Sequence, residues 1–267
     1  MIPVAFDYQR ATTIDEAIAA LSGDSKILAG GHSLLPAMKL RLNQPAKLVD
    51  ISKIEMLKGI REEDGEIVIG AATTHADIAN DDLIKKHLPF FAEGASRIGD
   101  VQVRNHGTIG GSLAHADPAA DWAALVLAAD ATLEVQSSKG ARRIKATEFF
   151  TGLFSTALEE GEIIIAIHIP IPADGTKTTY QKFAQPASRF AIVGCAVMRA
   201  PDGKINIAFT GVSDSPFRVT AEAAASAEDA VNNALSGVSV LSDNYASEEY
   251  RKHLAQVYLK KALQAVS

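Results

Sequence analysis

One cysteine, Cys195, and one tryptophan, Trp122, occur in 267 residues. A lone cysteine closes no intramolecular disulfide, and it cannot supply the four thiolates that an iron–sulfur cluster usually requires. It falls in the apolar run Phe190–Val197, where a small buried residue is its simplest role. Basic residues are also scarce: 26 Lys+Arg against 32 Asp+Glu leave a net charge of −6. Only short pairs such as Arg142-Arg143 and Lys260-Lys261 interrupt the scatter. The phosphate neutralisation on which nucleic-acid affinity rests is therefore missing. No apolar run approaches the ~18 residues of a membrane span, and Met1–Tyr8 lacks the basic region and apolar stretch of a signal peptide. A cytoplasmic address is the expectation. Three signatures are absent as well. Without G-x-G-x-x-G a Rossmann site is unsupported, without G-x-x-x-x-G-K-[ST] a P-loop, and without His-Glu-x-x-His a zincin.

What is present is the composition of an ordinary globular chain, 47% hydrophobic and 22% charged. The length suits one large domain or two unequal ones. Thr13-Ile14-Asp15-Glu16 is a capping box, and Ile14, Ala17, Ile18 and Leu21 repeat behind it at helical spacing. Strands are predicted at Lys26–Ala29, Leu48–Ile51 and Glu66–Gly70. Thr74 and Asp77 repeat the capping spacing before a helix over His75–His87, with another helix near Ser96. Arg104–Asp117 reads as a loop, and Asp117-Pro118 as N-cap and first-turn proline of an apolar, buried helix over Ala119–Ala129. Strands at Leu133–Val135 and Glu162–Ile167 precede a cluster of Pro170, Pro172, Asp174 and Gly175, the best domain boundary in the chain. Beyond it, strands around Tyr180–Phe183, Ala191–Arg199 and Ile205–Val212 are followed by helices near Ala221–Leu235 and Ser247–Ala265. That order suggests an α+β module with helices on one sheet face.

Two glycine-bearing segments carry the chemistry, Ala29-Gly30-Gly31-His32-Ser33 after a strand and Thr108-Ile109-Gly110-Gly111-Ser112 between helices. Glycine permits positive φ and lets backbone approach an anion, so successive N–H groups can converge on phosphate. Ser33, Thr108 and Ser112 add hydroxyl donors. Taken singly, each segment also suits a plain turn or loop. His115, Asp117 and Asp121 could bind metal, but Asp117 already has a capping role. A Ser112–His115–Asp121 triad has no nucleophile elbow to support it. His32 could act as a base or as a hydrogen-bonding residue beside a ligand.

The extended motifs are more specific. Ala29-Gly30-Gly31-His32-Ser33-Leu34-Leu35-Pro36 with Met38-Lys39-Leu40-Arg41, and Arg104-Asn105-x-Gly107-Thr108-Ile109-Gly110-Gly111-Ser112-Leu113-Ala114-His115-Ala116-Asp117-Pro118-Ala119-Ala120-Asp121, resemble the two FAD motifs of molybdenum hydroxylase medium subunits. The resemblance covers the whole chain and is closest to the carbon-monoxide-dehydrogenase type. It implies an α+β architecture: a two-part FAD domain of the vanillyl-alcohol-oxidase (PCMH) kind over residues 1–175, divided near 53/54, and a C-terminal flavoprotein domain over 177–267. It implies that Leu28, Ala29, Gly30, Gly31, His32, Ser33, Leu34 and Leu35, with Thr108, Ile109, Gly110, Gly111 and Ser112, wrap the diphosphate and ribityl chain. It further implies that Asp121, Ile98, Ile164 and Phe183 touch the cofactor, and that no residue is catalytic or ligates a metal.

Partners are implied too: a small subunit with two [2Fe-2S] clusters and a large molybdopterin subunit, assembled as a dimer of heterotrimers, with any membrane contact peripheral and made through the complex. Electrons would run from molybdenum through iron–sulfur to FAD and on to an acceptor, which could be quinone, NAD, oxygen or a carrier protein. The substrate would be chosen in the large subunit, among carbon monoxide, aldehydes and N-heterocycles. A stand-alone FAD oxidoreductase and a binding module without cofactor are the alternative readings.

Overall fold

A computed structural model describes residues 2–222 and 233–267. The N-terminal part is a three-stranded parallel sheet, with β1 (Asp7–Arg10), β2 (Ser25–Leu28) and β3 (Lys47–Asp50) in the order β1-β3-β2. Helices α1 (Ile14–Ala20) and α2 (Leu34–Lys39) connect them. The α1 cap forms largely as the sequence implies: Thr13 accepts from the Glu16 N–H. Glu16 reaches back one residue further, to the N–H and hydroxyl of Thr12.

The second part is a five-stranded antiparallel sheet in the order β4-β5-β10-β6-β7. Its strands are β4 (Ile60–Glu63), β5 (Glu66–Gly70), β6 (Thr132–Ser137), β7 (Gly140–Lys145) and β10 (Ile163–Pro170). Between β5 and β6 run six helices: α3 (His75–Asn80), α4 (Asp82–His87), α5 (Pro89–Ser96), α6 (Val101–Arg104), α7 (Ile109–His115) and α8 (Asp121–Ala128). A short helix α9 (Ala146–Phe149) and the hairpin β8 (Phe150–Gly152) and β9 (Ser155–Thr156) lie between β7 and β10.

Several local expectations are corrected here. The helix expected over His75–His87 is two helices, because Asp81 turns the chain and caps α4 through the Ile84 N–H at 3.0 Å. The segment Arg104–Asp117 is not a loop throughout, since Ile109–His115 is helical. Asp117-Pro118 does not open α8; Asp117 closes a turn by accepting from the Ala119 N–H, and Ala120 is the N-cap. α8 is buried along its whole length, as its composition requires.

The third part is a four-stranded antiparallel meander, β11 (Lys177–Ala184), β12 (Ala191–Arg199), β13 (Lys204–Thr210) and β14 (Phe217–Glu222). The helix expected near Ala221–Leu235 begins on strand β14, whose Ile205 and Lys204 partners, on β13, hold Ala221 and Glu222 extended; residues 223–232 lie outside the described residues, and Asn233 and Ala234 are helical. The last helix is α10 (Glu248–Ala265). Period-two alternation assigns the faces of this sheet. Val193, Cys195, Val197, Ile207 and Phe209 pack toward α10, while Ala196 and Ala208 join the core around α8. Both faces are thus covered by helix, rather than the one face expected. On the α8 side Gly194 makes room for a neighbouring strand's side chain: a Cβ there would lie 2.5 Å from the Tyr180 hydroxyl.

His75, at the start of α3, ties three elements together. Its N–H donates to Gly107 O at 3.0 Å, and the Trp122 indole N–H donates to its Nδ1 at 3.0 Å. Burial, with smaller contributions from His32 and Arg104, lowers its pKa from 6.5 to about 4. The unfolded chain therefore takes the proton first as pH falls. The contribution to stability is complete above pH 6.5 and is lost as pH drops toward 4. Its full size is about 3 kcal/mol. His75→Asn keeps an acceptor for the indole but does not titrate, so its urea midpoint, followed by the fluorescence of Trp122, should fall less steeply than wild type across this window. Parallel curves would contradict the assignment.

Candidate cofactor-binding site

The first glycine segment leaves β2 at Leu28 and turns into α2. Gly31 has φ +74°, a left-handed conformation that a side chain disfavours. A Cβ there would also press on Leu35 at 2.8 Å and Leu28 at 3.2 Å. Ser33 occupies the N-cap of α2 yet makes no side-chain cap bond. Among the described residues, the amides of Gly30, Gly31, His32 and Ser33 meet no protein acceptor. Four successive uncommitted N–H groups around a positive-φ glycine form the kind of nest that binds an anion.

The second segment is built differently. Thr108 caps α7, its hydroxyl accepting from Gly111 N–H at 3.2 Å. The Ile109 N–H donates to Thr73 O at 3.1 Å and the Gly110 N–H to Ala71 O at 2.9 Å. A Cβ on Gly110 would lie 2.6 Å from the Ala71 side chain, so this glycine permits close packing of α7 against the strand end. The amides of residues 109–111 are therefore committed within the protein, and the donors left for a ligand here include the hydroxyl of half-exposed Ser112.

The two segments meet. A Cβ on Gly30 would lie 1.9 Å from the His106 carbonyl oxygen and 2.9 Å from the Gly107 Cα. The Gly111 Cβ position faces that of Ala29 at 3.9 Å, and the His32 and His106 rings are edge-on with centroids 5.6 Å apart. Residues about 77 apart in sequence thus share one surface, which is the cradle that two separate turns would not make.

The four outlying residues have separate surroundings. Ile98 is half-buried between α5 and α6, its carbonyl accepting from Arg104 at 3.1 Å. Ile164 is buried on β10 beside a register shift. Phe183 packs toward α10, its ring 5.9 Å from Tyr258. Asp121, at the start of α8, is buried under Lys182 Nζ at 2.8 Å and accepts from the Tyr180 hydroxyl at 2.5 Å. Burial pushes the Asp121 carboxyl up and the Lys182 ammonium down, and their mutual attraction opposes both shifts. Burial, reinforced by Asp121, raises the Tyr180 phenol well above its ordinary range. Sequence reading missed Tyr180, Lys182 and His75. The one available signal was a lysine two residues after Tyr180, on the same strand face.

Comparisons with known proteins identify the family. Residues 4–172 match the family described as FAD binding domain in molybdopterin dehydrogenase, and residues 178–266 match the CO dehydrogenase flavoprotein C-terminal domain. The carbon monoxide dehydrogenase medium chain of Hydrogenophaga pseudoflava is 39% identical over 284 residues, covering 99% of this chain and 98% of that one. The glyceraldehyde dehydrogenase medium chain of Sulfolobus acidocaldarius is 35% identical, with 100% of both covered. The solved carbon monoxide dehydrogenase from Hydrogenophaga pseudoflava that lacks the Mo-pyranopterin moiety superposes with a TM-score of 0.95 at 38% identity, over 100% of this chain and 98% of that one. The chain belongs to the family of FAD-binding medium subunits of molybdenum hydroxylases, oxidoreductases assembled from several different chains.

Proposed function

We propose that the nest at Gly30–Ser33 holds the FAD diphosphate, with Leu28, Ala29, Leu34 and Leu35 forming its walls and Thr108–Ser112 closing the opposite side. The observation that carries this is the contact of Gly30 with His106–Gly107, which brings the uncommitted amides against the second motif. FAD supplies reversible two-electron chemistry when bound. The chain's own work is to neutralise the diphosphate with N–H groups, to bury the flavin against apolar side chains and to fix its orientation. Ile98, Ile164 and Phe183 are assigned to the flavin and adenine surroundings. Asp121 acts from beneath, its charge set against Lys182. The FAD-binding unit is taken as residues 1–175, in parts 1–53 and 54–175, and the C-terminal unit as 177–267.

In this reading the chain receives electrons from the [2Fe-2S] clusters of a small subunit and passes them through FAD to an external acceptor, while molybdopterin and substrate belong to a large subunit. The relatives' names span carbon monoxide and glyceraldehyde, and in this reading the choice between such substrates is made in the large subunit. The assembly is a dimer of heterotrimers. Among the described residues no helix is long and apolar enough to cross a membrane, and we assign a cytoplasmic location with any membrane contact made through the complex.

Ser33→Glu sets a carboxylate beside the diphosphate without removing a cap bond. Flavin affinity, titrated on the deflavinated complex, should fall at least about tenfold, or ~1.4 kcal/mol, with an unchanged unfolding midpoint. Wild-type flavin content and affinity in this variant would refute the diphosphate placement. Purification of the native complex should give iron, molybdenum and flavin in constant ratio; a yellow, active chain with neither metal would point instead to a stand-alone flavoprotein.

A further inference from the structure

Between the C-terminal end of α5 and the loop joining β11 to β12 is a cavity of about 340 Å³, lined by Arg97, Lys182, Gln185 and Arg189 together with Ser96 and Ala184. Its three cations face two carboxylates, Asp121 against Lys182 and Glu93 at 3.3 Å from Arg97, which leaves the cavity electropositive. Arg97 is part of the frame: its guanidinium donates to Tyr180 O and Lys182 O, both at 3.2 Å. Arg189 is not. Among the described residues its guanidinium donates only to Gly99 O, at 3.3 Å, so most of the five N–H groups of a guanidinium remain for a ligand. Gln185 accepts from the Ser188 N–H through its side-chain oxygen, which leaves its NH₂ group as another donor.

The loop is held in a demanding conformation. Arg189 has φ +62°, unusual for a residue with a side chain, and is pinned by Arg189 N–H to Gln185 O and Gln185 N–H to Phe190 O, both at 2.8 Å. Maintained backbone strain of this kind is characteristic of functional positions. The lining also meets residues assigned to the flavin: Arg97 precedes Ile98 in the chain, and Lys182 is paired with Asp121 at 2.8 Å.

We propose that this cavity docks the electron acceptor by an anionic group, a phosphate or a comparable compact anion, gripped by Arg189 and Gln185 with Arg97 behind them. A guanidinium fork suits such anions. The inference rests on the reading that the flavin ring lies beside Ile98. The redox balance is simple: reduced flavin gives up two electrons and two protons; the electrons reduce one two-electron acceptor or two equivalents of a one-electron oxidant such as hexacyanoferrate(III), and the protons that the acceptor does not take up pass to solvent.

The test uses the purified complex, wild type against Arg189→Glu and Arg189→Gly, the latter chosen because glycine accepts φ +62°. Inorganic pyrophosphate binding is measured by calorimetry, and KM is measured for hexacyanoferrate(III) and for a neutral benzoquinone. Both variants should keep full flavin content and the wild-type benzoquinone KM. The hexacyanoferrate KM should rise at least about tenfold in Arg189→Glu and less in Arg189→Gly, and pyrophosphate binding should be lost. Displacement of pyrophosphate by NAD⁺ from the wild type would identify dinucleotide phosphates as the anion, and failure to displace it a small free anion; either supports the pocket. Equal KM changes for both acceptors, or undiminished pyrophosphate binding, overturn the proposal. Loss of flavin in both variants would assign Arg189 to the FAD cradle and overturn it as well, whereas a wild-type complex without flavin would refute the underlying reading.

Discussion

Gly30 lies so close to the His106 carbonyl that no side chain fits between them. Through that contact the N-terminal parallel sheet meets the helical excursion of the five-stranded sheet, and both glycine motifs reach one surface. The rest of the site follows from it. β2 must deliver Gly30 to this spot, the chain must turn sharply at Gly31, and α7 must be held on the end of β5 by the Thr73 and Ala71 carbonyls. The two motifs do different work once they meet. The first offers uncommitted amides, whereas the second is mostly occupied in holding itself together.

A second layer of support comes from α8. It is buried between the five-stranded sheet and the meander, so the C-terminal strands are packed against the FAD-binding region. Its polar start is costly to bury and is compensated locally, with Asp121 paired to Lys182 and hydrogen-bonded to Tyr180. Removing one member of such a pair leaves an uncompensated buried charge. His75 stays neutral for the same reason, in a site where Trp122 supplies the donor. The two arrangements fix the start of α8, Asp121 through β11 and Trp122 through α3.

Much of this was legible in the sequence because it is local. Thr13 and Thr74 both cap helices where a hydroxyl three residues before an acidic side chain says they should. β5 spans Glu66–Gly70, as its apolar run implies. What was not legible depends on distant partners. Glycines 110 and 111 disfavour helix; tertiary bonds from Ile109 to Thr73 and from Gly110 to Ala71, with the Thr108 cap on Gly111, override that preference. Ala221 and Glu222 belong to an alanine-rich stretch that reads as helix, but pairing with β13 holds them in a strand. Lys182 and Asp121 are 61 positions apart, and nothing local announces that they form a pair.

The central claim is that the amides of Gly30–Ser33 are the flavin's diphosphate site. Amide hydrogen exchange, compared between the deflavinated complex and the same complex reconstituted with FAD, addresses it directly. The account predicts strong new protection in the peptide covering residues 29–35, with a smaller change at 108–113, where the amides are already bonded. Unchanged exchange at 29–35 alongside full flavin occupancy would contradict it.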